Sequence, residues 1–271
     1  MKALKTITLS VFAFVLLLLV ISNLYLHIKI NNVSATPNQS QVQSSKKVEP
    51  STLTKEDRKK AITRRADAKN ALGCDVSHWD GKIDWEKLKQ TDIAFVYIKA
   101  TQGTNYIDPT FREHWASAKQ HGFIRGAYHF YDPTKDPVAQ AEFFLKTTAL
   151  GKGDLLPVLD IEIAKGVDAQ KLTNDIALWI NTVKAKIGRN PMIYTDYGFW
   201  NKSIDKAFSD CPLWIAEWES GRKPYLPNGW KEWVFWQYSA KGSLEGISAK
   251  GNVDLDEFNG PLSSLKTYLL R

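Results

Sequence analysis

From Gly73 onward, short apolar runs alternate with amphipathic stretches, and this alternation constrains the fold more than any other feature of the chain. Apolar runs that read as strands are Gly73–Ser77, Ile93–Lys99, Phe123–Phe130, Leu155–Glu162, Met192–Thr195, Leu213–Trp218, Val234–Tyr238 and Asn252–Asp254. Between the early ones lie helical patterns. Asp168 is a natural N-cap, and Leu172, Ile176, Trp179, Ile180, Val183 and Ile187 then form one apolar stripe, closed by Gly188 and Pro191. Asp136-Pro137 opens a second helix, with proline at the tolerated first position, and residues 108–121 form a third. Strands alternating with helices predict an α/β fold, a parallel sheet closed into an irregular TIM-like barrel. No good helix follows Trp218, so the later strands are joined by loops.

Barrels of this kind carry their sites at the C-terminal strand ends. There the sequence places Asp75, Lys99, Thr101, Tyr128, His129, Phe130, Asp160, Glu162, Tyr194, Asp196, Glu217, Trp218, Trp236, Gln237 and Asp254, a ring of carboxylates and aromatics. The run "PVLDIE" at 157–162 is the most telling. Residues i and i+2 of a strand share a face, about 6.6 Å apart along it, so Asp160 and Glu162 both face the mouth. Two nearby, partly buried carboxyls repel, and at least one of them keeps its proton to higher pH. A protonated acid beside an ionised one is the arrangement of glycoside hydrolysis. Alternation also sends Tyr128 to the mouth and His129 into a structural hydrogen bond.

The chain has 271 residues, 44% of them hydrophobic, and a formal charge of +7, which fits one large domain plus a tail. The positive balance suits an anionic surface, but the basic residues are scattered and no motif interleaves them, so nucleic acid is not expected as a partner. The ten Trp and ten Tyr offer flat faces for sugar rings as well as core volume. Cys74 and Cys211 have neither CxxC nor zinc spacing and read as small buried hydrophobes, with a disulfide as the alternative. No HxH or HExxH spacing gathers a metal, and no metal or other cofactor is expected. Asp256 reads as the N-cap of a following helix, and His78 as a solvated loop residue.

Residues 1–6 carry Lys2 and Lys5, and residues 7–26 are almost wholly apolar. A run of that length suits a transmembrane signal anchor, with residues 1–6 cytoplasmic and the rest of a single-pass protein extracytoplasmic. A cleaved signal peptide has an apolar core of only about 7–15 residues. Residues 27–70 form a polar, then basic, linker ahead of a barrel domain at 71–271. Residues 55–70 read as a short solvated helix or as a contact to anionic lipid or wall polymer.

The motifs "GCDVSHWDG" (73–81), "KATQG" (99–103), "GAYHF" (126–130), "PVLDIE" (157–162), "IYT" (193–195), "LWIAEW" (213–218), "WQYS" (236–239) and "NVDLDEF" (252–258) resemble, in order, those of glycoside hydrolase family 25, the Chalaropsis-type lysozymes. The resemblance spans 71–271. It implies five β/α units followed by three further strands, and muramidase cleavage of the β-1,4 bond after N-acetylmuramic acid in peptidoglycan. Glu162 matches the family's general acid. Asp160 then assists the substrate acetamido group, or attacks directly. Asp75 and Asp254 tune the site or hold the sugar, and Asp254 has a structural role at the barrel seam as its alternative. Tyr128, Tyr194, Trp218, Trp236 and Gln237 match groove positions, and Lys99 is a mouth cation pairing with an acid. Trp218 stands where relatives often have a smaller aromatic. The partners implied are peptidoglycan glycan strands and, through the anchor, the membrane, for a monomer. A catalytically inactive wall-binding module on the same barrel is the alternative function, and a cut after N-acetylglucosamine the alternative bond.

Overall fold

The computed structural model describes residues 63, 65, 68–204, 208–218, 223–249 and 251–271. The proposed cytoplasmic segment, the apolar run 7–26 and most of the linker lie outside the described residues. Among the described residues no helix is long and apolar enough to cross a membrane. The barrel belongs to a compact unit, Thr52–Arg271.

Among the described residues nine strands form one sheet: β1 (Leu72–Val76), β2 (Ile93–Gln102), β3 (Tyr106–Ile107), β4 (Ile124–Phe130), β5 (Val158–Asp160), β6 (Met192–Asp196), β7 (Leu213–Ala216), β8 (Phe235–Gly242) and β9 (Val253–Phe258). The order β1-β2-β4-β5-β6-β7-β8-β9, returning to β1, closes an eight-stranded barrel, and β3 is a short antiparallel addition to β2. The ladders from β1 to β8 are parallel. The helices on the outside are α1 (Trp85–Leu88), α2 (Phe111–Gln120), α3 (Pro137–Thr148), α4 (Ala169–Ile187) and α5 (Tyr197–Ser203). Asp136 and Asp168 cap α3 and α4 as the sequence predicts, and Gly188 ends α4 in the left-handed region at φ 75°.

The last strand departs from the parallel expectation. β9 pairs antiparallel with both β8 and β1. The described residues of the connection over 243–252 form no helix, and without a helical crossover the chain returns antiparallel. Asp254 therefore reaches the mouth at the start of its strand, not at the end. Asp256 is a second correction: it lies inside β9, fully buried, and caps no helix. Strand β5 is also shorter than Leu155–Glu162. Its ladder stops at Asp160, and Glu162 follows just beyond it.

Alternation divides the core in two. Phe95, Tyr97, Val158, Met192, Trp214, Phe235 and Phe258 fill the barrel interior. Val96, Ile98, Leu159, Ile193 and Ile215 face the helices, among Phe144, Ile176 and Trp179. The interior is crowded enough to demand glycine. A Cβ on Gly73 would sit 2.2 Å from the Phe95 ring, and one on Gly126 would sit 2.1 Å from Tyr97. Burying such aromatic faces contributes roughly 1.5–3 kcal/mol per large side chain. Cys74 and Cys211 are buried and unpaired, and burial pushes the Cys211 thiol up to about 12.

Of the linker, Thr63 and Arg65 are helical. Arg65 is not simply solvated: its guanidinium donates to the carbonyls of Lys89 and Thr91, just before β2, and lies over Phe123.

Candidate active site

A cavity of about 190 Å³ opens at the barrel mouth, and most of the expected residues line it: Asp75, Lys99, Tyr128, Asp160, Glu162, Tyr194, Gln237 and Asp254. Ser77, Trp79, Phe130 and Trp214 complete the wall. Trp214 had no place in the sequence-based set. Its signal lay in the alternation of "LWIA", which turns Trp214 and Ala216 to the same interior face.

Asp160 is buried at the end of β5, and its Oδ1 makes no hydrogen bond among the described residues. The neighbouring Glu162 carboxyl acts on it directly. Burial, then the Glu162 charge, holds the Asp160 carboxyl well above the usual range. Burial chiefly, with the charge of Asp196 behind it, raises Glu162 as well. Asp160 opposes the rise of Glu162, and Lys99 opposes both rises. The pair therefore retains a proton at pH values where exposed carboxyls have lost theirs.

A second carboxyl group lies across the mouth. Asp75 on β1 and Asp254 on β9 are ladder partners. Burial, with Asp254 and Asp256 behind it, raises Asp75 well above the ordinary value, opposed by a 2.8 Å hydrogen bond from Gln237 Nε2. Asp254 is pushed up to about 7 by burial and by the charges of Asp80 and Glu162. Below them Asp256 accepts from the Trp214 indole at 2.9 Å. Gln237 ties the ring together, because its Oε1 also accepts from Tyr194 Oη and Trp218 Nε1, both at 2.9 Å.

Other expected residues fall differently. Trp236 points away from the mouth: it donates to the Glu217 carbonyl and packs against Trp233 and Tyr238, because on β8 the inward positions go to Phe235 and Gln237. Trp218 lies outside the mouth cavity, beside it. Lys99 bonds Gln102 Oε1 at 3.2 Å and lies 4.7 Å over the Phe130 ring; its influence on the acids is at longer range than an ion pair. His78 is not merely solvated, since its Nδ1 meets Asp108 Oδ2 at 2.7 Å. His129 behaves as expected, buried between Thr101 and Gln140, at 2.7 and 3.2 Å. Burial lowers its pKa to about 4, so it is neutral.

The two most exposed tryptophans, Trp79 at 80% and Trp218 at 54%, stand at the mouth cavity and at its neighbour. Exposed indoles on either side of buried carboxyls suit a sugar chain lying across the barrel.

Residues 74–247 match the family described as Glycosyl hydrolases family 25. The chain is 40% identical over 213 residues to lysozyme M1 of Streptomyces globisporus, covering 74% of this chain and 71% of that protein. It is 31% identical to the N,O-diacetylmuramidase of Chalaropsis sp., covering 68% and 95%. Among solved structures, the bacterial lysozyme of Streptomyces coelicolor superposes with a TM-score of 0.70 at 36% identity, covering 75% of this chain and 98% of that one.

Proposed function

The chain belongs to glycosyl hydrolases family 25, and within that family we propose that it is a lysozyme-type muramidase, cutting the β-1,4 bond that follows N-acetylmuramic acid in peptidoglycan. That it is a glycoside hydrolase follows from the family and from relatives named lysozyme and N,O-diacetylmuramidase. The observation that carries the finer reading is the pair of Asp160, buried, and Glu162, half-buried, on one mouth walled by aromatics.

Glu162 acts as general acid. Burial keeps its proton available, and it passes that proton to the bridging oxygen as the bond to the anomeric carbon breaks. The acetamido oxygen of the same sugar attacks the anomeric carbon as the leaving sugar departs, and Asp160 stabilises the charge that develops on that group. Water then adds to the anomeric carbon and returns a proton to Glu162. Direct attack by Asp160 is the competing course, and it requires carboxyls about 5–5.5 Å apart. Asp75 and Asp254 hold the sugar ring and set the charge of the mouth. Tyr128, Tyr194, Gln237 and Lys99 shape the pocket around it.

The apolar run 7–26 and the polar stretch behind it support a barrel tethered outside the cytoplasm within reach of the wall. The barrel region covers nearly all of a separately solved lysozyme, so the unit Thr52–Arg271 is suited to testing by itself. Purified peptidoglycan is digested with this unit, and the new ends are reduced and identified by mass spectrometry. Reducing muramic-acid ends are expected. Reducing glucosamine ends would overturn the bond assignment, and wall binding without new ends would favour the inactive binding module.

A further inference from the structure

Asp256 is a fully buried carboxyl group that the mechanism above does not use. It stands on β9 between its ladder partners Gly73 of β1 and Gln237 of β8. Its Oδ1 accepts from the Trp214 indole at 2.9 Å, and its Oδ2 is buried without a hydrogen-bond partner among the described residues. The ionisable groups that feel its charge or act on it are Cys74 and Asp75 on β1, Tyr97 on β2, Tyr238 on β8 and Asp254 on β9. Every one of them is an acid. An ionised carboxylate there would give up its hydration for one indole hydrogen bond among groups that repel it, which is an unfavourable exchange.

The neighbouring Asp75 carboxyl acts on Asp256 directly. Two carboxyl oxygens come together only with a proton between them. Gln237 donates to Asp75 at 2.8 Å, which favours charge on Asp75, and Asp75 lines the open mouth while Asp256 lies beneath it. Burial, then the charge of Asp254, holds the Asp256 carboxyl well above the usual range. We propose that Asp256 is a positioning residue that works as a neutral acid: its Oδ1 holds the Trp214 indole, and a hydroxyl at Oδ2 donates to Asp75 and leaves Asp75 the carboxylate of the pair. A carboxylic acid kept neutral so that it can donate is an established way to use burial. The charge of Asp256 that helps to raise Asp75 is then absent, and its hydroxyl joins Gln237 in holding Asp75 ionised. Trp214 lines the mouth, with its ring centre 4.9 Å from that of Tyr194, so one buried group sets both an aromatic wall and an acid of the mouth. The effect on turnover rests on the muramidase reading; the location of the proton does not.

The test compares the full chain with Asp256→Asn and Asp256→Leu, after melting curves establish which variants are folded. Asn keeps an acceptor for the indole and puts an N–H where the hydroxyl stood. It is expected to hold kcat/KM on peptidoglycan within about threefold of the parent, with the pH profile unmoved, because no charge is lost. Leu keeps the size and supplies neither bond. It is expected to lower kcat about 10- to 100-fold with a smaller change in KM. A pH profile displaced by about one unit or more in the Asn variant would mean that an ionised group had been removed, and would overturn the proposal. Full activity in a folded Leu variant would take away the positioning role.

Infrared difference spectra at neutral pH locate the proton without any turnover, and so separate failure of this inference from failure of the muramidase reading. Parent minus Asp256→Asn is expected to show the carbonyl band of a neutral carboxylic acid. Parent minus Asp75→Asn is expected to show the paired bands of a carboxylate. Carboxylate bands lost with Asp256, or the acid band lost with Asp75 instead, would sink the proposal whatever the activity of the parent.

Discussion

The side-chain amide of Gln237 on β8 donates to Asp75 on β1 across 2.8 Å, over the antiparallel strand β9 that lies between them. The same side chain accepts from Tyr194 and Trp218. One residue thus fixes an acid, a mouth tyrosine and the exposed indole of Trp218 beside the neighbouring cavity. Replacing it with the similarly sized Leu leaves three polar groups without this partner. Gln237→Leu is expected to cost about 1–3 kcal/mol in urea unfolding and to lower kcat/KM on peptidoglycan about 10- to 100-fold. A stability loss with full activity would reduce Gln237 to a structural tie.

Glu162→Gln keeps size and hydrogen bonding but cannot give up a proton. Turnover of peptidoglycan is expected to fall by about 10²–10⁴, the usual worth of a general acid. The melting temperature should hold or rise, because a buried carboxyl that resists ionisation has been removed. Retained turnover would take the acid role away from Glu162.

Asp254 should leave a signature in stability against pH. Its carboxyl, raised to about 7 in the folded chain, has an ordinary value of 3.8. Between those values the folded state binds more protons than the unfolded one, so this group's contribution to stability falls as pH rises from about 4 to about 7. Asp254→Asn should flatten that decline and be more stable at neutral pH, by about 1–4 kcal/mol. Parallel stability-pH curves for parent and variant, from denaturant titrations, would contradict this.

Gly126→Ala tests the packing of the barrel interior. The added Cβ meets the Tyr97 ring at 2.1 Å, and Tyr97 is itself fully buried, with its hydroxyl on the Leu156 carbonyl. A loss of about 1–3 kcal/mol is expected in thermal or urea unfolding. An unchanged midpoint would mean that the interior yields more readily than its contacts indicate.

Much of this molecule could be read along the chain. The stripe from Leu172 to Ile187, the caps Asp136 and Asp168, and the apolar runs that became β1, β2 and β4 to β8 are local patterns, set by periods of 3.6 and 2 and by hydrogen bonds within a few residues. The convergence of Asp160 and Glu162 on the mouth and the burial of His129 against the helices followed from the same alternation.

What the tertiary structure alone decided depends on which strands become neighbours. Asp256 resembled a helix cap until β9 was drawn between β8 and β1, where its carboxyl meets Trp214, 42 residues away. Trp236 is as aromatic as Trp214, yet register turned Trp214 into the mouth and Trp236 out of it. His78 found Asp108 only because the loop after β1 meets the turn after β3. The chain specified its elements and its acids through neighbours in sequence. Their pairing, and with it the raised carboxyls and the two cavities that meet at Glu162, came from contacts between residues far apart along the chain, which no local period encodes.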